Sequence, residues 1–187
     1  KGLCLRVLKA PMFTEKKMKI AIEANILSEN INGIGKVIVE VANTLSKYNE
    51  VTLLLNGNIN QTYEINKKVM IDNSLKINSK FFWFHLRLPN YFKKNSYDVA
   101  WFPSHKIPFL IPKKTKCLLT IHDLIWKKFP RFLKKKTFLS ELIHFKFSLM
   151  RADLISCMSK STAEDLSFYF PKILDKVRIG YPYIEQN

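Results

Sequence analysis

The sequence predicts an α/β fold: a single Rossmann-like, doubly wound, mostly parallel sheet with helices on both faces. Three observations carry that prediction. Seven short apolar runs bounded by turn residues alternate with longer segments of helical period, which is the pattern of β-α-β units. The runs are apolar along most of their length, as strands covered on both faces are. At 187 residues the chain is long enough for one domain with a substantial core and too short for two of ordinary size.

Taken in order, the expected strands are KIAIEA (19–24), VTLLLN (51–56), KVMID (68–72), DVAWFP (98–103), CLLTIH (117–122), LISCMS (154–159) and KVRIGY (176–181). Helices fill the gaps. Residues 35–47 place Val37, Val41 and Leu45 on one face, and residues 80–94 form the next helix. Residues 132–151 repeat Phe138, Leu142, Phe145 and Leu149 at helical spacing, and 161–169 opens with a capping box of Ser161 and Glu164. FPSHKIPFLIPKK (102–114) holds three prolines and reads as an irregular loop leaving a strand. Residues 1–17 carry no such pattern and read as an extension outside a domain spanning 18–183.

Composition narrows the class. With 47% hydrophobic and 25% charged residues the chain has globular rather than disordered composition. Cys4, Cys117 and Cys157 are odd in number and far apart, so they read as small core residues of a reducing compartment. No apolar run approaches the roughly 18 residues of a membrane span, and LCLRVL is too short for a signal-peptide core. The expectation is a cytoplasmic protein. Its net charge of +16 is uneven: residues 105–151 hold twelve Lys or Arg against Asp123 and Glu141, a net of +10. Such an excess fits an anionic partner or a merely solvated face, and composition alone leaves both open.

The chemistry concentrates where strands end. LLTIHDLIW (118–126) runs from an apolar strand into His122 and Asp123, which are costly to bury unless hydrogen-bonded. In parallel α/β sheets that carboxyl end is where ligands sit. A histidine alone is more often structural than reactive; its position at a strand's carboxyl end favours a site. NINGIGK (30–36), between the first strand and first helix, could bring backbone N–H groups to an anion, or could simply need glycine for the turn. Ile38 replaces the third glycine of a dinucleotide fingerprint, and Val37 follows Lys36 where a phosphate loop needs Ser or Thr. Neither zinc spacing nor a serine-hydrolase elbow is found, and no D-x-D motif occurs.

Six segments, in order, resemble the N-terminal half of family-4 glycosyltransferases, retaining enzymes of the GT-B fold. They are MKIAIEAN, NGIGKVIVEVANTL, DVAWFPSHKIPFLIP, LLTIHDLIWKKFP, RADLISCMSKSTAEDL and KVRIGYPY. The resemblance implies that Gly33, Ile34 and Gly35 face the donor diphosphate and that His122 lies beside the transferring sugar as the catalytic residue. It implies Asn25, His105 and Asp123 as acceptor-binding positions, with Asp123 orienting its loop. No cofactor is implied beyond a nucleotide-sugar co-substrate such as a UDP- or GDP-hexose, and no metal. Such enzymes pair this half with a second, donor-binding domain. The expectation is therefore an acceptor-side half, inactive without that domain or a partner subunit, with residues 184–187 starting the linker.

The expected function is transfer of a hexose to a glycan or lipid-linked acceptor in glycan or cell-envelope biosynthesis. The competing expectation is a non-catalytic basic module for a membrane surface or nucleic acid. Basic and aromatic residues concentrate in 80–94 and 127–147, which read as helices rather than as the sheet face of a single-strand binder. That favours an anionic membrane over nucleic acid, with Phe81, Trp83, Lys134, Lys135 and Lys136 as the contacting residues, and a protein peripheral to the inner face of the membrane.

Overall fold

The computed structural model describes residues 17–180 except 30, 61 and 133, and the side chain of Phe132 is likewise left undescribed. The expectations for residues 1–16 with Cys4, for the last residue of the seventh strand, and for the linker at 184–187 lie outside the described residues.

All seven expected strands form: β1 Lys19–Glu23, β2 Glu50–Leu54, β3 Met70–Asp72, β4 Val99–Phe102, β5 Lys116–Ile121, β6 Leu154–Cys157 and β7 Val177–Ile179. They make one sheet in the order β3-β2-β1-β4-β5-β6-β7, and every pairing is parallel. Pairing registers Ile22 against Leu53 on one side and Trp101 on the other. Ile20, Ala21 and Ile22 are fully buried, which is why this strand tolerates no polar alternation.

The helices are α1 Gly33–Leu45, α2 over 80–94, α3 Ile125–Lys128, α4 Lys135–Arg151 and α5 Lys160–Tyr169. Crossovers between parallel strands are right-handed, so the direction in which the chain steps along the sheet chooses the face. From β1 through β2 to β3 it steps one way; from β3 through β4 to β7 it steps back. Accordingly α1 buries Ile38, Ala42 and Leu45 with Ile20, Ile22 and Leu53 on one face. Trp83 and Phe92 of α2, Phe145 and Leu149 of α4, and Leu166 of α5 share the other with Ala21, Ala100 and Leu119. The first face holds one long helix, completed by the loop 55–69 through Leu55, Val69 and Tyr63.

Three expectations change. The helix over 80–94 is continuous but not regular: α-helical Lys80–Phe82 passes through a π segment, Trp83–Arg87, into Leu88–Lys94. Pro89 follows that segment; it has no N–H for the carbonyl four residues back and would clash with it, and a widened turn accommodates both. The capping box at Ser161 and Glu164 is displaced by two residues. Ser159 caps α5, its Oγ accepting the Thr162 N–H at 3.1 Å, while Glu164 pairs with Lys160 at 3.7 Å. Trp83, expected on a membrane-facing surface, is 1% exposed and belongs to the core, whereas Phe81 is 64% exposed. One hundred degrees per residue separates these neighbours to opposite sides of the helix.

Cys117 and Cys157 are buried free thiols whose pKa values are pushed up to about 12, in each case by burial first. No helix among the described residues is long and apolar enough to cross a membrane.

Candidate functional site

Because every strand is parallel, all seven end at one edge, and the order reverses between β1 and β4. That switch point opens a crevice where the connections after β1 and β4 diverge to opposite faces. Asn25 follows β1, Pro103 to His105 follow β4, and His122 and Asp123 follow β5. Helices α1 and α5 start at the same edge, with their N-termini toward it.

His105 and His122 meet there. Their rings stack at 5.1 Å between centroids, 29° from parallel. The His122 backbone N–H donates to His105 Nε2 at 2.9 Å, which requires that nitrogen to be unprotonated. His105 holds a positive φ of 62°, the single such non-glycine residue described, and this left-handed backbone turns its ring back over β5. Its pKa is pushed down to about 4 by burial, then by His122, with Lys106 adding to the effect and Asp123 and Glu141 opposing it.

The His122 ring is fixed at one nitrogen. Nε2 lies 2.7 Å from the Pro103 carbonyl, which can only accept, so Nε2 carries the proton. Burial lowers the His122 pKa, against the Pro103 bond and Asp123, so the neutral ring dominates at neutral pH. Nδ1 then presents a lone pair, and no group among the described residues bonds it. The His122 carbonyl accepts from Thr162 Oγ1 at 2.9 Å, tying the segment to the start of α5. Asp123 is exposed, and its Oδ1 accepts the Ile125 N–H at 3.0 Å, starting α3.

Asn25 and the glycines complete the edge. Asn25 Oδ1 accepts the Asn56 N–H at 3.1 Å, joining the ends of β1 and β2. The glycine segment, expected as a loop, is already the first turn of α1, capped by Asn32, whose Oδ1 accepts from the Gly35 N–H at 2.8 Å. The two glycines are not equivalent. Gly35 is buried, and a Cβ there would collide with the hydroxyl of Tyr63, so a larger residue would have to displace that ring. Gly33 has open space where its Cβ would be. The exposed approach to the helix N-terminus is therefore at Gly33 and Ile34.

The structure thus gathers His122, His105, Asp123, Asn25 and the α1 N-terminus on one edge. Glu23, 7% exposed at the end of β1, was missed by the sequence reading, although an acidic residue closing an apolar strand is a visible signal. A shallow cleft lined by Lys19, Glu50, Thr52 and Lys94 opens at the opposite, amino-terminal edge, away from these groups. Among the described residues no three His, Cys, Asp or Glu gather as a metal site.

A seven-stranded parallel α/β sheet with polar side chains at the switch point is a Rossmann-like architecture, matching one half of a GT-B fold. The chain belongs to glycosyltransferase family 4: the model of that family (Glycosyltransferase Family 4) matches residues 31–185. Among solved structures it is similar to an α-glucosyltransferase in complex with UDP and a 13-mer DNA containing a HMU base, with a TM-score of 0.52 and 15% identity. That match covers 91% of this chain and 44% of the other, so this chain spans less than half the length of that enzyme. No curated protein matches it.

Proposed function

We propose that the chain is the acceptor-side domain of a retaining glycosyltransferase that moves a hexose from a nucleotide sugar to a glycan or lipid-linked acceptor. The observation that carries this reading is the single free nitrogen of His122. With Nε2 held by Pro103, Nδ1 is the group positioned to accept a hydrogen bond from a substrate hydroxyl at the cleft. The open start of α1 at Gly33 and Ile34 supports a donor diphosphate there, since N–H groups at a helix N-terminus stabilise an anion and its developing charge. Asn25, His105 and Asp123 then shape the acceptor side.

The same edge supports a lipid-borne acceptor. Helices α2 and α4 both return from strand ends, so their first turns start from the same edge of the sheet as the site. The first presents Phe81 and Phe82, and the second presents Lys134, Lys135 and Lys136, all exposed. Basic residues near an anionic leaflet contribute about 1 kcal/mol each, and inserted rings add to that.

Two measurements test the reading. The isolated chain should bind UDP- and GDP-hexoses no more tightly than about millimolar, because the donor half is a separate domain; micromolar binding contradicts that division. Joined to a donor-binding domain, His122→Ala should lose on the order of a hundredfold in turnover with its melting temperature little changed. Retained turnover with a sharp fall in melting temperature would make His122 structural.

A further inference from the structure

Glu23 closes β1, and no other Asp, Glu, Lys or Arg among the described residues is as buried. Side chains alternate along a strand, so Glu23 lies on the face of Ala21, toward α2. Its Oε1 accepts the Asn25 N–H at 3.1 Å. The other oxygen, Oε2, has no partner among the described residues, and the residue as a whole keeps 7% exposure. A buried carboxyl that only supports a fold is ordinarily met by a cation or several donors. This one has a single N–H, and burial, with Glu29 adding repulsion, raises its pKa to about 7.

A second under-bonded group lies on the same face of the sheet. The indole of Trp83 is 1% exposed and its Nε1–H is buried without an acceptor. The start of α2 that carries it is tied down here: Lys80 Nζ meets Glu29 Oε1 at 2.7 Å, and the Ile77 N–H donates to Asn56 Oδ1 at 2.8 Å. Asn56 is the residue that bonds Asn25. Glu23 therefore sits in a braced corner, two strands from the one that ends in His122, a lateral spacing of about 10 Å. That spacing is of the order of a sugar ring with its substituents.

We propose that Glu23 is a hydroxyl-binding residue of the acceptor subsite, its Oε2 holding a hydroxyl of the acceptor sugar while His122 attends the hydroxyl that reacts. The inference rests on the acceptor-side reading above. The ligand class is a neutral polyol: a carboxyl can accept from a hydroxyl when ionised and donate to one when protonated, whereas an ionised carboxyl repels phosphate.

The test uses the full 187-residue chain with ¹³C-labelled glutamate and histidine, titrated with methyl hexopyranosides of gluco, manno and galacto configuration. At least one should shift the Glu23 carboxyl resonance and the Asn25 N–H saturably, with inorganic phosphate leaving both unmoved. Glu23→Gln, which still donates and accepts, should bind within about threefold of the parent, and Glu23→Asp, one methylene short, should bind about tenfold more weakly. Retention of dispersed amide spectra shows that the variants fold. Saturable shifts at His122 with Glu23 unmoved and Glu23→Asp unaffected would overturn the role of Glu23 and leave the acceptor-side reading standing. No saturable shift at either residue up to about 100 mM would overturn both.

Discussion

The backbone N–H of His122 donates to the ring of His105 at 2.9 Å, so the loop after β4 holds the segment after β5 through a histidine in left-handed conformation. Removing the ring leaves a half-buried N–H without an acceptor, a loss of about 1–3 kcal/mol. His105→Ala keeps the strain of a Cβ at φ 62°, whereas His105→Gly removes it. Denaturant unfolding should find the alanine variant less stable than the glycine variant by about 1 kcal/mol. Equal stabilities would mean that the loop relaxes out of the left-handed region.

Glu23 and the histidines give stability opposite pH slopes. Glu23 has a pKa of about 7 in the fold against an ordinary 4.5, so between those values the unfolded chain releases a proton that the folded chain keeps. Stability falls as pH rises through that window, by up to about 3 kcal/mol. His105 runs the other way: at about 4 against an ordinary 6.5, its contribution is complete above 6.5 and lost as pH falls toward 4. The stability of Glu23→Gln relative to the parent should therefore increase from pH 4.5 to 7.5, measured by urea unfolding. A flat difference would show that Glu23 ionises normally.

The two glycines of α1 separate packing from ligand approach. Gly35→Ala drives a methyl group against Tyr63 and should cost about 1–3 kcal/mol. Gly33→Ala meets open space in a helical turn and should be neutral or stabilising by up to about 1 kcal/mol. Thermal melts of the pair check this, and a Gly33→Ala variant that is as unstable as Gly35→Ala would contradict the open approach.

Surface and core aromatics in α2 should behave differently toward lipid. The chain should bind anionic liposomes reversibly and more weakly as salt rises, and replacing Lys134, Lys135 and Lys136 by glutamate should abolish binding. Phe81→Ser should weaken binding with the fold intact, while Trp83→Ala should lower the melting temperature through a cavity costing about 3–5 kcal/mol. Equal binding to neutral and anionic liposomes would leave the lysines as a solvated face.

Strand existence and the class of fold are legible in the sequence because a strand covered on both faces is apolar along most of its length, as KIAIEA and CLLTIH are. His122 and the Gly33 to Gly35 segment are legible for a related reason: polar or flexible residues directly after such runs fall at a sheet edge by connectivity alone. What the tertiary structure decided are the choices between neighbours. Helical period puts Phe81 and Trp83 on opposite sides but could not say which of them faces the core, because Phe81, Phe82, Trp83 and Phe84 are consecutive aromatics. Nor could it separate Gly33 from Gly35, since the residue that covers Gly35 is Tyr63, brought there by a loop from beyond β2. The pairing of His105 with His122 and the isolation of Glu23 depend on β1, β4 and β5 lying side by side, contacts between residues far apart in the chain. Local pattern fixes which face or edge a residue reaches; only packing across strands determines which groups it meets there and which of its atoms remain free.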